Sequence, residues 1–454
     1  MKLFNLLKGI TYQSILGNDN VDIDNLTQDT REEFTKNTAY FAVKGTQVDG
    51  HNYIDDAIEK GALVIFCETK PDNIADNVSY VVLDSVLDVM GYIVSNFYDN
   101  PSHKLKIIAI TGTNGKTTVA TSLYQSLLLL GEKSALFSTA GDFINGAEFH
   151  SDKKASSSME IIELHKNLRK SLNEGCSYVC LEATSHALDQ QRLVGTKIAG
   201  AIFTNLTQDH LDYHPDFNHY QNSKKRLFDE LENSAFALVN IDDSYGSTMI
   251  SETQAHIISY GNRAYLNPIS RDLTFMVKGF GLTGTEVYFN EILTEVKFVG
   301  EFNMYNLIAV YGALLQLGFN MVEIGVALSR IQGARGRMEI VTGEKEGVIG
   351  IVDYAHTPDA LENVLATLAE LPHNKLITLV GVGGDRDRIK RPLMAKIAQK
   401  NSDHVLYTSD NPRTENPEQI FSDLLSGCDV QKKNFEKIED RELAIKKAVE
   451  LSGT

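Results

Sequence analysis

The sequence predicts an α/β protein of three domains, with a phosphate-gripping central domain and a Rossmann-like C-terminal one. Three observations carry this. Apolar strand-like runs alternate with helical stretches from about residue 105 to about residue 330. A Gly-rich turn, Thr111-Gly112-Thr113-Asn114-Gly115-Lys116-Thr117-Thr118, joins a strand to a helix. The same alternation resumes after a break at Gly333-Ala334-Arg335-Gly336.

In the first hundred residues, strand-like Tyr40-Phe41-Ala42-Val43 precedes a helical stretch at 57–62 and a second strand, Leu63-Val64-Ile65-Phe66. The turn-rich Asp99-Asn100-Pro101-Ser102 closes this domain, expected at 1–100. Strand Ile107-Ile108-Ala109-Ile110 opens the central domain, 101–332. Within it, 119–130 reads as helix, and 178–181 and 199–203 as strands. The alternation implies a mostly parallel sheet. Residues 275–298 alternate and are broken by glycine, which suggests an antiparallel addition. The third domain, 333–454, has strand candidates at 348–352, 376–380 and 404–407 separated by helical stretches, a doubly wound pattern. No internal repeat is visible.

At 454 residues the chain exceeds one comfortable core. It is 43% hydrophobic and 23% charged, as soluble globular proteins are. A net charge of −17 argues against a general nucleic-acid or membrane-surface binder, while leaving room for a local basic site. Cys176 and Cys180 lack a second pair, so a zinc site is not expected. No signal peptide and no run of about 18 apolar residues is read, so a cytoplasmic protein without a membrane span is expected.

The Gly-rich turn carries the firmest chemistry. A strand that ends in such a turn and opens a helix presents backbone N–H groups and a helix dipole to a phosphate. Lys116 is suited to the terminal phosphates and Thr117 to Mg²⁺, with Gly112, Thr113, Asn114, Gly115 and Thr118 around them. Ile110 stands where the longer form of this motif has glycine, so the loop is the shorter Gly-x-x-Gly-Lys-Thr-Thr. Glu182 ends a strand, and Asp209-His210 follow another, where open α/β sheets hold their ligands. Glu182 is an oxygen donor of the type Mg²⁺ prefers. Taken alone, such residues also serve as helix caps or satisfied polar groups.

Together these residues resemble the Mur ligase family along nearly the whole chain. The resemblance runs through Asp29-Thr30-Arg31, Asp49-Gly50-His51, the 111–118 loop, Glu182-Ala183-Thr184-Ser185-His186 and Asn205 to His214. It continues through Phe302-Asn303, Gly336-Arg337-Met338-Glu339, Asp353 to Pro358, Gly383-Gly384-Asp385-Arg386-Asp387 and Asp410-Asn411-Pro412-Arg413. It implies a UDP-sugar domain, an ATPase domain and an amino-acid domain, and ATP-dependent amide formation through an acyl phosphate. By this resemblance, Thr117 and Glu182 hold a first Mg²⁺ and His210 a second. Lys224 matches a carbamylated lysine; on its own it reads as a solvated helix lysine, and Lys225 is the obvious confusion. Asn303, Arg337 and Asp353 are implied near adenine, phosphates and ribose. Closure of the C-terminal domain is then expected to assemble the site.

In the family, Asp-Asn-Pro-Arg accompanies meso-diaminopimelate, whose second carboxylate a guanidinium binds bidentately. Arg413 is therefore the expected specificity residue, with Arg386, Asp410 and Asn411 beside it. Thr30, Ser157, Ser158, Thr184, Gln190 and Arg192 match positions that contact UDP-MurNAc-dipeptide. Ser156-Ser157-Ser158-Met159 replaces the family's Thr-Thr-Pro, and Thr184-Ser185 its two serines. The family's Gly-Lys-Gly-His-Glu segment is expected just beyond Thr454, so the third domain is expected to be incomplete, with an open sheet edge. The reaction implied is addition of meso-diaminopimelate to UDP-MurNAc-L-Ala-D-Glu by a cytoplasmic, monomeric enzyme. Alternatives are a ligase for L-lysine or another acceptor, and a catalytically dead nucleotide-binding homologue. Folylpolyglutamate synthetase is disfavoured by the Gly383-Gly384-Asp385-Arg386-Asp387 and Asp410-Asn411-Pro412-Arg413 segments.

Overall fold

The structure is a computed structural model that describes residues 1–45, 48–71, 74–149, 159–265, 271–281, 284–341 and 348–453. It divides into two compact units, Met1–Ala109 with Glu132–Ala199, and Ile110–Gly131 with Gly200–Thr454.

In the first unit, strands β1 (Ser14–Leu16), β2 (Asn25–Thr27), β3 (Thr38–Phe41), β4 (Ala62–Cys67) and β5 (Ser79–Val82) form a sheet in the order β1-β5-β4-β3-β2. It is parallel except for β1. Both faces are apolar because successive side chains point to opposite sides. Ala39, Phe41, Val64, Phe66 and Val81 join one core with Val86, Met90 and Ile93 of helix Val86–Phe97. Tyr40, Ile65, Cys67 and Tyr80 join the other with Ile54 and Ala57 of helix Ile54–Glu59. The Phe41 and Phe66 rings stack at 4.6 Å. The Asp-Gly-His motif proves architectural: Asp49 caps a short 3₁₀ turn, and His51 bridges Asp49 Oδ1 (2.7 Å) and the Glu68 N–H (2.9 Å).

Strand β6 (Lys106–Thr111) crosses from the first unit's sequence into the second's. The first unit also holds β7 (Ser134–Ser138), β8 (Gly141–Ile144), β9 (Ala147–Phe149) and β10 (Tyr178–Glu182), in the order β10-β7-β8-β9. Leu164 and Leu168 of helix Ile161–Asn173 pack on Ala135, Phe137, Val179 and Leu181.

In the second unit, β11 (Gly200–Phe203), β12 (Phe236–Asn240), β13 (His256–Asn262) and β14 (Leu273–Gly281) run parallel. Antiparallel β15 (Gly284–Phe289) and β16 (Ile292–Val296) extend them, which is the addition expected at 275–298. Helix Glu301–Gln316 packs across β12, β13 and β14 and against helix Lys116–Leu129. Both helices are buried over most of their length; Glu301–Gln316 is largely apolar, whereas Lys116–Leu129 also buries Thr117, Thr118, Thr121, Ser122 and Ser126.

The last third departs from the expected pattern at one strand. The stretch expected at 348–352 is a strand only at β18 (Ile351–Val352), which pairs antiparallel with β17 (Glu339–Ile340) in a separate ladder. The three-stranded parallel sheet instead comprises β19 (Ile377–Val380), β20 (His404–Tyr407) and β21 (Phe435–Lys437). β21 is three residues long and carries Glu436 and Lys437, so periodicity alone does not mark it. Leu361, Leu365, Met394, Ala395, Ile420 and Phe421 from three helices form the core around this sheet.

Candidate active site

In the second unit, the chain leaves β6 and turns through Gly112 (φ +145°) and Gly115 (φ +88°) into helix Lys116–Leu129. Space as well as backbone demands glycine. A Cβ on Gly112 would lie 1.9 Å from Thr204 Oγ1, and one on Gly115 would lie 2.3 Å from Asn306 Oδ1. Gly115 is the helix N-cap and has no side chain to cover the first-turn N–H groups. Those donors and the positive end of the dipole suit an anion.

The loop is held by residues after β11. Asn205 brackets Asn114, accepting from its N–H (2.9 Å) and donating to its carbonyl (3.1 Å). Thr204 donates to the same carbonyl at 2.6 Å. Thr113 Oγ1 accepts from the Thr207 N–H at 2.9 Å and lies 2.9 Å from the Tyr220 hydroxyl. The motif Asn205-Leu206-Thr207 was visible in the sequence, but its task as a clamp needs contacts across 91 positions.

Lys116 Nζ donates back to the carbonyls of Gly112 (3.1 Å) and Thr113 (2.8 Å). Lys224, 1% exposed on helix Phe217–Asp229, donates to the same Gly112 carbonyl at 2.7 Å and lies over the Tyr220 ring. Lys225 turns instead to Asp229 (2.7 Å) and Glu252 (3.4 Å). Geometry thus separates the adjacent lysines.

Thr117 and Thr118 are buried in the first turn of the helix. Arg337 Nη2 donates to Thr117 Oγ1 at 3.3 Å, and its guanidinium lies over the Tyr354 ring. Asp353 accepts from the N–H groups of Met338 (2.8 Å) and Ala355 (2.7 Å), yet burial pushes its carboxyl above the usual range. Asn114 Nδ2 donates to Asp359 at 3.1 Å. Asn303 is buried, donating to the Val299 carbonyl and accepting from Asn306.

His210 has the left-handed φ of +55° and sits 3.4 Å from the Asp209 carboxylate; His356 lies 3.7 Å from the same oxygen. Burial would raise the Asp209 carboxyl, but the nearby His356 imidazole and the charges of His210, His356 and Lys390 outweigh it and hold the group well below the carboxylate range. His356 therefore belongs to this cluster.

Two loops farther along meet directly. The Gly384 N–H donates to the Asn411 carbonyl at 2.9 Å, and Arg413 Nη1 donates to the Gly384 carbonyl. Asp410 accepts from the Asn411 N–H (2.7 Å), and Asn411 Oδ1 from the Arg413 N–H (3.1 Å). Arg386 points to Asp212 at 3.5 Å. Arg386, Asp410, Asn411 and Arg413 are all exposed.

In the first unit, buried Glu182 ends β10 and accepts from the Thr139 N–H and hydroxyl, each at 3.0 Å. Thr184 caps helix Ser185–Asp189 by accepting from the Ala187 N–H. Arg192 donates to Gln190 Oε1 at 2.6 Å and pairs with Glu160 at 2.8 Å. The Thr30 carbonyl accepts from Lys60. Ser157 and Ser158 lie outside the described residues.

The sequence matches the Mur ligase middle domain over residues 110–314, the Mur ligase glutamate ligase domain over 336–454, and the Mur ligase family catalytic domain over 33–102. It is 42% identical to the UDP-N-acetylmuramoyl-L-alanyl-D-glutamate–2,6-diaminopimelate ligase of Phocaeicola vulgatus, covering 100% of this chain and 92% of that one. The ligase of the same name from Clostridium tetani is 37% identical with the same coverage. A solved structure of a ligase with that name superposes with a TM-score of 0.68 at 32% identity, over 94% of this chain and 87% of the other. A MurF crystal structure from Acinetobacter baumannii, 16% identical with a TM-score of 0.66 over 99% and 92% of the chains, shares the fold. With a three-domain α/β architecture, a glycine-forced turn that opens helix Lys116–Leu129, and relatives matched along the whole chain, this chain belongs to the Mur ligase family.

Proposed function

We propose that this chain is an ATP-dependent acid–amino-acid ligase that adds meso-diaminopimelate to UDP-MurNAc-L-Ala-D-Glu in peptidoglycan precursor synthesis. The observation that carries the reading is the convergence of Lys116 and Lys224 on the Gly112 carbonyl, at the mouth of an uncapped helix N-terminus. Relatives 37% to 42% identical along the chain, named for that reaction, support the choice of substrates.

A carboxylate is a poor electrophile, so ATP first phosphorylates it and the amine then displaces phosphate through a tetrahedral intermediate. Positioning and charge neutralisation are what the protein supplies. Lys116 and the N–H groups that open helix Lys116–Leu129 would hold the phosphates, the Thr113 and Asn114 N–H groups being engaged with Asn205. On the resemblance, Arg337 would meet them from beside Thr117, Asp353 would take the ribose and Asn303 would serve the adenine side. The Thr117 hydroxyl and a carbamylated Lys224 would supply oxygen donors of the kind Mg²⁺ prefers, His210 is added on the resemblance alone, and the ion when bound would neutralise phosphate charge. Glu182 is carried as a further ligand on the resemblance alone.

Residues 1–100, 101–332 and 333–454 are taken as UDP-sugar, ATP and amino-acid domains. Thr30, Ser157, Ser158, Thr184, Gln190 and Arg192 would serve the sugar nucleotide, and Arg386, Asp410, Asn411 and Arg413 the diamino acid. The reaction is assigned to the cytoplasm and to a monomer; among the described residues, no helix is long and apolar enough to cross a membrane.

The test is ligation with diaminopimelate and L-lysine side by side, with ATP, Mg²⁺ and UDP-MurNAc-L-Ala-D-Glu, following phosphate release and product mass. Diaminopimelate-dependent product is expected. A preference for L-lysine overturns the substrate assignment, and no phosphate release with either overturns the ligase reading.

A further inference from the structure

Beneath the two loops that carry Arg386 and Arg413 lies a buried ion pair. Arg391 belongs to helix Lys390–Asn401, and its side chain is 1% exposed. A guanidinium so buried needs fixed partners, and it meets Glu415 fork to fork: Nη2 to Oε1 at 2.7 Å and Nη1 to Oε2 at 3.0 Å. Nη1 also reaches Asp423 at 2.8 Å.

Glu415 does more than neutralise Arg391. Its Oε1 accepts from the Asp385 N–H at 2.5 Å, and its Oε2 from Arg388 at 2.7 Å. The residue before it, Thr414, donates its N–H and hydroxyl to the Asp385 carboxylate at 3.0 and 2.9 Å. The backbone of one loop is thereby fixed to the residues that directly follow Arg413 in the other. Arg413 itself has a left-handed φ of +48°, which a side-chain-bearing residue keeps only where its neighbours hold it. A well-packed apolar pair could fill the same volume without loss of stability. It could not accept a backbone N–H from the opposite loop.

We propose that Glu415, locked by buried Arg391, is a positioning residue for amino-acid selection, setting the Gly383–Asp387 loop against the Asp410–Arg413 loop so that Arg413 is presented to the far carboxylate of the diamino acid. This rests on the reading of Arg413 given above. Neither Glu415 nor Arg391 touches the substrate in this account; they act through the loop backbones.

The test compares the full-length chain with Glu415→Gln and Glu415→Asp. The aspartate keeps a negative charge beside Arg391 but is one methylene short of the Asp385 N–H, so it decides the matter if the glutamine variant fails to fold. In Glu415→Asp the KM for diaminopimelate is expected to rise about 10- to 100-fold. The KM values for ATP and UDP-MurNAc-L-Ala-D-Glu should stay within about twofold, with kcat at saturation and melting temperature nearly unchanged. An unchanged diaminopimelate KM in the folded aspartate variant overturns the proposal. So does a uniform loss in kcat and every KM accompanied by a lower melting temperature. Wild-type preference is measured alongside: if the wild type favours L-lysine, the substrate assignment fails, while the KM for lysine still reports on loop positioning.

Discussion

Lys116 and Lys224 donate to one acceptor, the carbonyl oxygen of Gly112, at 3.1 and 2.7 Å, although they stand on different helices. Their meeting sets Lys224 beside Lys116 at the Gly-rich turn, where a carbamate on Lys224 would place an anionic oxygen donor for Mg²⁺ next to a cationic lysine. Lys225, the next residue, is engaged with Asp229 and Glu252 and takes no part. Lys224→Ala is therefore expected to lower kcat by at least about 100-fold, and Lys225→Ala by no more than about threefold. Steady-state phosphate release on both variants checks this, and equal losses would remove the distinction.

Gly112→Ala should damage the loop more than its single methyl suggests. The new Cβ meets Thr204 Oγ1 at 1.9 Å and must adopt φ +145°. Strain of this kind costs on the order of 1–3 kcal/mol before any clash is counted. Nucleotide binding by calorimetry should weaken by more than about tenfold, with a lower melting temperature.

Arg337→Ala removes the bond to Thr117 Oγ1 and the stacking on Tyr354. A hydrogen bond from a charged group contributes about 1.5–3 kcal/mol, so the KM for ATP should rise roughly 10- to 100-fold. The KM for the diamino acid should move little. If the amino-acid KM moves and that for ATP does not, Arg337 serves the other substrate.

His165 is fully buried in the first unit, and burial pushes its pKa down to about 4. The unfolded chain takes up this proton near the ordinary value of about 6.5. The native state refuses it until about pH 4. Its contribution to stability is therefore complete above about pH 6.5 and is lost as pH falls toward about 4, by at most about 1.4 kcal/mol per pH unit. Urea midpoints at about pH 7.5, 6 and 5 should fall in the wild type and fall less steeply in His165→Gln. Parallel slopes would assign the loss to other groups.

Arg413→Lys keeps the charge and loses the fork. A bidentate contact to a carboxylate is what lysine cannot reproduce. The KM for diaminopimelate should rise about 100-fold, with use of L-lysine much less affected. Parallel effects on both amino acids would place Arg413 outside the specificity contact.

Local features of the sequence determined a great deal here. The strand–turn–helix of the Gly-rich loop was legible because all its parts are contiguous: a buried strand, two glycines and a lysine opening a helix. The apolar run of β4 and the alternating segment at 275–298 were legible because side-chain period follows from backbone conformation. Short strands such as Ser79–Val82 and Phe435–Lys437 carry too few residues to show a period, and pairing alone makes them strands. The stretch at 348–352 had the right composition, yet Ile351–Val352 found Glu339–Ile340 instead of the main sheet. Tertiary structure also decided which lysine of 224 and 225 faces the loop, and that Asn205 clamps Asn114. It alone joined Arg391 to Glu415 beneath Arg413. Those choices depend on side chains meeting across distant segments, and burial makes each pairing decisive because an unpaired polar group there has no water to fall back on.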